Sequence, residues 1–172
     1  WELKLASSAR WAPAYAGMDL VAREEIRQLK FRNFRTRDNK QWELFADTLA
    51  DDITAAYGTK AMGEPLHFTS RQQVVDYMSE NTDESVVTMH VAQHPEISVD
   101  GDTASASWGF EDTVIHTGYH VLIRGAGYYS DTYRREADGR WRITSTSYER
   151  LYETMTSLKD TPSFKFLANK WA

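Results

Sequence analysis

Residues 86–116 read VVTMHVAQHPEISVDGDTASASWGFEDTVIH. Val87, Met89 and Val91 alternate with Val86, Thr88 and His90, the period of two that sends successive side chains to opposite faces of a strand. Pro95 restricts His94 before it and removes a ladder donor, so the strand over 86–92 ends or bends near His94. Asp100-Gly101 is a hairpin signal between strands 96–99 and 103–116. In the second of these, Ala104, Ala106, Trp108, Phe110 and Asp112 share one face. A further pair, 128–135 and 140–148, flanks Asp138-Gly139, so the second half of the chain reads as a long antiparallel meander.

Upstream the period is helical. Residues 19–37 contain neither Pro nor Gly, and Ala22, Ile26, Leu29 and Asn33 recur on one stripe, which predicts an amphipathic helix with Asp19 as candidate cap. A second helix is expected over 40–49, where Trp42, Phe45 and Leu49 align, with Asp38 in the corner between the two. Residues 52–57 read as a strand carrying Ile53, Ala55 and Tyr57 on one face, and Gly58 and Gly63 mark a loop. Ser70 followed by Gln73 resembles a capping box for a short third helix ending near Asn81. Three helices with one strand among them, then a meander, specify an α+β fold with helices packed on one face of a curved sheet.

The 172 residues, 41% hydrophobic and 13% aromatic, supply one core of ordinary domain size. Residues 18–172 are expected to form the domain, with 1–17 as an extension outside it and 155–172 as an apolar tail that covers a cavity mouth or packs on a partner subunit. A formal charge of −5 argues against nucleic-acid binding. The local basic run Arg27, Lys30, Arg32, Arg35 and Arg37 reads as a solvated helix face. Absence of cysteine excludes thiol chemistry and fits a reducing, cytoplasmic location. No apolar run approaches the roughly 20 residues that span a bilayer.

His90 and His94 are four apart, as in a zinc-protease helix, but Val91 stands where that motif has its glutamate, and Pro95 parts the two rings; no metal site is expected. His90 alone is better explained by a core hydrogen bond. The company it keeps points further. Asp112 lies on the face of Trp108 and Phe110, Asn33 on the inward stripe of the first helix, Tyr57 at the end of an apolar strand face, and Asp38 at the helix corner. A core rarely holds so many polar heads unless they bond one another or line a pocket for a polar ligand. Asp112 has a second explanation, a buried salt bridge with Arg150.

FRTRDNKQW (34–42), ITAAYG (53–58), MHVAQHPEI (89–97), WGFEDTVI (108–115), GYYSDTYRREADGRW (127–141) and SYERLYE (147–153) together resemble the SnoaL-like branch of the nuclear transport factor 2-like cone proteins. Within that branch they most resemble the bile acid 7α-dehydratases. The resemblance implies a cone-shaped sheet enclosing a pocket, with a catalytic aspartate and histidine at Asp38 and His90. It assigns Tyr57 to the family tyrosine of the first strand, and Asp112, Arg150 and Tyr119 to the substrate pocket. The family's catalytic tyrosine on the first helix stands here as Asn33, so its role passes to an amide or to another group. The implied activity is a cofactor-independent hydro-lyase that converts a 7-hydroxy 3-oxo-4-ene steroid into a 4,6-dienone, in a homodimer or homotrimer. The alternatives are a related dehydratase or isomerase acting on a polyketide or aromatic compound, and a non-catalytic ligand-binding module.

Overall fold

The structure, a computed structural model, describes residues 17–58, 63 and 66–172. The expected extension over 1–17 lies outside these residues except for Gly17, which opens the first helix.

Helix α1 (Gly17–Asp38) buries Ala22, Ile26, Leu29 and Asn33 as its spacing predicts. Asp19 is not its cap: the helix begins two residues earlier, and Asp19 sits in the first turn, where a carboxylate meets the positive end of the helix dipole. Helix α2 (Trp42–Ala46) is shorter than expected. The Thr48 hydroxyl donates to the Phe45 carbonyl at 2.6 Å, which closes the turn. Leu49 then joins β1 (Leu49–Tyr57) instead of the helix. A three-residue strand, β2 (Leu66–Phe68), too short to show a period, pairs with β1. Ser70 caps α3 (Arg71–Glu80) by accepting the Gln73 amide, and Gln73 reaches back to the Thr69 amide.

Strands β3 (Val86–Asp100), β4 (Thr103–His116), β5 (Val121–Arg135) and β6 (Trp141–Ser157) form the expected antiparallel meander. The sheet order is β2-β1-β6-β5-β4-β3, and the β1–β6 pairing is parallel, so the sheet is mixed. Segments 86–92 and 96–99 are one strand that bends through a bulge between Gln93 and Glu96, with His94 at φ 47°. β5 and β6 both run past their predicted limits.

The helices lie on the inner face of the curved sheet, where register stacks alternate residues from neighbouring strands. Trp108 is opposite Tyr129, Ala106 opposite Asp131, and Ala104 opposite Tyr133, which is in turn opposite Ile143. Ile26, Leu29 and Phe34 of α1 pack with Trp108, Phe110, Tyr129 and Ile143 of the sheet into one core. Burying each such side chain contributes about 1.5–3 kcal/mol, which fixes the helix against the sheet. After β6 the tail folds back across the corner that follows α1. There the Asn169 amide donates to the Glu84 carbonyl at 3.1 Å, and the Trp171 ring lies 4.4 Å from Lys40 Nζ.

Candidate active site

The last residue of α1 meets the outer edge of the sheet. β3 is an edge strand, so the His90 N–H has no neighbouring strand to bond on that side. It donates instead to Asp38 Oδ2 at 2.8 Å. Thr88 Oγ1 donates to Asp38 Oδ1 at 2.8 Å, and His90 Nδ1 lies 2.6 Å from the same oxygen. These donors offset the cost of placing a carboxylate at the negative end of a helix dipole. Burial pushes the Asp38 carboxyl up, but the His90 ring and amide and the Thr88 hydroxyl outweigh it and leave the group below its ordinary value.

An ionised Asp38 assigns the proton to His90 Nδ1, which leaves the lone pair on Nε2. His90 is buried, and the Phe34 ring stands 5.4 Å from it. Burial, followed by the charge of Arg37, holds the imidazole below the usual histidine range, against the pull of Asp38 and Asp112. The result is a neutral imidazole oriented by a carboxylate, the arrangement of a general base.

Asp112 faces His90 across the β3–β4 pair and is buried. Its carboxylate accepts two bonds from Arg150, at 3.0 and 2.6 Å. Arg150 crosses β5 to reach it over Gly125, where a methyl group would overlap the guanidinium. Glu153 flanks Arg150 at 2.7 Å, and the guanidinium lies 5.4 Å from the Phe110 ring and 5.3 Å from that of Tyr148. The pair thus braces β4, β5 and β6 beside the dyad.

Tyr57, half-buried at the end of β1, stands 6.3 Å from Tyr148 and 6.0 Å from Phe68. Burial, then the neighbouring Tyr129, raises its phenol far above the ordinary value, so it remains a donor at physiological pH. Asn33 is buried, and its amide Nδ2 donates to Thr48 Oγ1 at 2.8 Å, which ties α1 to the turn before β1. Tyr119 does not join the others. It is 76% exposed in the β4–β5 turn, its ring tilted against that of His116 at 4.1 Å. His94 is exposed as well, because the bulge turns it away from His90.

Two inward cations correct the expectation of a solvated basic face. Arg27, Arg32 and Arg35 are exposed, but Lys30 is 1% exposed and bound to Asp131 at 2.7 Å. Arg37 is half-buried, and its charge acts on the phenols of Tyr129 and Tyr57, on Asp38 and on the His90 ring. Positions 30, 34 and 37 continue the helical stripe at i, i+4 and i+7, a signal that their charges masked. Tyr129 shares the inward parity of Asp131 and Tyr133, so it too was recoverable from the strand period.

Asp38 and His90 also line an apolar groove of about 420 Å³ between α1 and β3, together with Phe31, Phe34, Met89 and Val91.

Among solved structures, the chain is similar to a hexachlorocyclohexane dehydrochlorinase (LinA type 2) at 17% identity and TM-score 0.73, over 89% of this chain and 98% of that one. It is similar to a putative scytalone dehydratase from Novosphingobium aromaticivorans at 17% identity and TM-score 0.69, over 89% and 94%. A type 3 dehydrochlorinase from Novosphingobium barchaimii gives 17% identity and TM-score 0.71, over 89% and 99%. At such identity the likeness speaks for the fold. Residues 18–147 match the SnoaL-like domain family, and on that match the chain belongs to it.

Proposed function

We propose that the protein is a cofactor-independent hydro-lyase that removes water from a 7-hydroxy 3-oxo-4-ene steroid, with His90 as base and Asp38 as its orienting partner. The observation that carries this reading is the buried imidazole whose Nδ1 lies 2.6 Å from a carboxylate. The names of the similar structures, a dehydrochlorinase and a dehydratase, support elimination as the reaction type. The quoted motifs, through their resemblance to the bile acid 7α-dehydratases, support the steroid.

In this reading His90 Nε2 takes a proton from carbon 6. The electrons of that C–H bond form the C5–C6 double bond, and the charge passes through C3–C4 to the ketone oxygen as a dienolate. Return of the charge restores the ketone and the C4–C5 double bond, forms C6–C7, and expels hydroxide from carbon 7. Hydroxide takes the proton back from the imidazolium and leaves as water. Asp38 stabilises the imidazolium between the two transfers, as the carboxylate of a hydrolytic triad does. Tyr57 is a hydrogen-bond donor at neutral pH, and the Asp112–Arg150 pair holds the strands on which the pocket is built.

The test is to mix the purified chain with a 7α-hydroxy 3-oxo-4-ene bile acid, its 7β epimer and a hydroxylated aromatic ketone. A product lighter by one water, with the ultraviolet absorbance of a conjugated dienone, is expected from a steroid. Dehydration of the aromatic compound alone would overturn the steroid assignment and keep the reaction type. Binding without conversion of any would leave a ligand-binding module.

A further inference from the structure

The outer face of β3–β6, opposite in parity to His90, Phe110 and Tyr129, has two halves of different chemistry. In one half register stacks hydroxyls: Ser107, Ser130 and Ser147 form one cross-strand row, and Ser105, Thr132 and Ser145 the next. That is the solvated face an antiparallel sheet ordinarily shows. The other half, behind the dyad, carries large apolar side chains. Val87, Ile115 and Leu122 make one row there. Beyond it Met89 is 60% exposed, Val91 43%, and Tyr128 and Tyr152 52% each. Met89 and Val91 flank His90 in sequence, so this patch lies on the back of the strand that carries the imidazole.

A contiguous exposed apolar area calls for a partner, and two features of this one say which. The first is charge. Glu111 lies in the row of Val91 and Ala126, and Arg124 in the adjacent row with Met89 and Thr113, so the two occupy the middle of the patch; Glu149 stands at its margin beside Tyr128. Glu111 and Arg124 are exposed, and neither forms an ion pair among the described residues. A two-fold axis in the plane of contact, midway between them, brings Glu111 of each copy against Arg124 of the other, so the patch complements itself. The second feature is area. Four strands at about 4.8 Å spacing and four rows of side chains about 6.6 Å apart cover roughly 500 Å². Two copies together then reach the roughly 1,000 Å² that a specific interface needs.

We propose that a second copy of this chain docks on the outer face of β3–β6 as an isologous dimer, with Glu111 of each copy paired to Arg124 of the other and Tyr128 and Tyr152 packed in the contact. The second copy covers Met89 and Val91, on either side of His90, and so backs the edge strand that carries the dyad histidine. The hydroxyl half of the face stays in water. Nothing in this contact depends on the reaction assigned to His90.

Sedimentation velocity of the full chain, with fluorescence detection over a dilution series from micromolar to nanomolar, tests the contact without turnover. Wild type is expected to sediment as a dimer at micromolar concentration. Glu111→Arg sets arginine against arginine twice across the axis and is expected to raise the dissociation constant at least about 10-fold, and Arg124→Glu to do the same with glutamates. The combined swap, Glu111→Arg with Arg124→Glu, restores opposite charges and is expected to bring the dissociation constant back to within severalfold of wild type. Tyr128→Ser, which changes no charge, is expected to weaken the dimer, and Ser105→Arg in the hydroxyl half to leave it unchanged. All four positions are exposed, so circular dichroism is expected to show every variant folded. A monomeric or trimeric wild type would overturn the proposal and leave the patch to another partner. So would a dimer indifferent to both single charge reversals, one that the combined swap fails to restore, or one broken by Ser105→Arg.

Discussion

Two polar clusters face the same concavity from the same helix, and they are built in opposite ways. In one of them, Asp131 Oδ2 accepts from Lys30 Nζ at 2.7 Å and from the Tyr133 hydroxyl at 2.8 Å, and its Oδ1 accepts from Thr146 at 2.7 Å. The Tyr133 oxygen in turn accepts from Trp108 Nε1 at 2.8 Å. The Lys30 ammonium also lies over the rings of Tyr129 and Phe34, at 3.8 and 4.7 Å, and Lys30 and Asp131 are 1% and 2% exposed. Two turns along α1, Asp38 is equally well bonded, but the ring it orients is not: among the described residues His90 Nδ1 is bonded and Nε2 has no partner. A saturated network specifies a core, while an unsaturated one next to it is competent to bind and react.

The largest difference between the clusters should emerge from His90→Ala. Loss of the base is expected to lower kcat/KM by about 10³–10⁴-fold while urea unfolding shifts little, since Asp38 keeps the Thr88 hydroxyl and the backbone N–H. A variant that unfolds and retains turnover per folded molecule would assign the dyad to the structural class. The mirror experiment is Lys30→Met. Leaving Asp131 buried without its cation is expected to cost about 3–5 kcal/mol in urea unfolding, with turnover per folded molecule close to wild type. Next in size is Gly125→Ala, where the added methyl must displace the Arg150 guanidinium from Asp112. An overpacking cost of about 1–3 kcal/mol is expected, together with a shift of the His90 ring signals in NMR spectra. Unchanged stability would mean that Arg150 swings away freely and that its pairing with Asp112 braces nothing.

How legible these clusters are in the sequence follows from the period of each element. The inward parity of β4 placed Asp112 beside Trp108 and Phe110, and the burial of Asn33 followed from the helical stripe. Charged residues were harder. Lys30 and Arg37 lie on the buried stripe, but a basic run reads as a solvated face unless its carboxylate and phenol partners, a hundred residues away in sequence, are known. The limits of α2 and β3 depended on tertiary contacts, the Thr48 hydroxyl closing one turn and strand pairing carrying β3 through the Pro95 bulge. The departure at Asn33 was visible as a residue type, whereas its tie to Thr48 required coordinates.

The smallest effect discriminates most sharply, because its sign differs between variants. Burial and Arg37 disfavour the His90 imidazolium, and Asp38 and Asp112 favour it, with the first pair prevailing. His90 is therefore neutral at neutral pH, and kcat/KM should be flat there and fall only as the pH drops below the ordinary histidine value of about 6.5. Arg37→Met removes a repulsive charge and should move that acid limb to higher pH. Asp38→Asn removes an attractive one and should move it to lower pH, in addition to its loss of rate. The His90 Hε1 chemical shift, followed through a pH titration without substrate, reads the same ionisation directly. A His90 that titrates above the ordinary range would mean that the dyad rests as a closed ion pair, like Lys30 with Asp131. The contrast between the two clusters would then be one of position and not of chemistry.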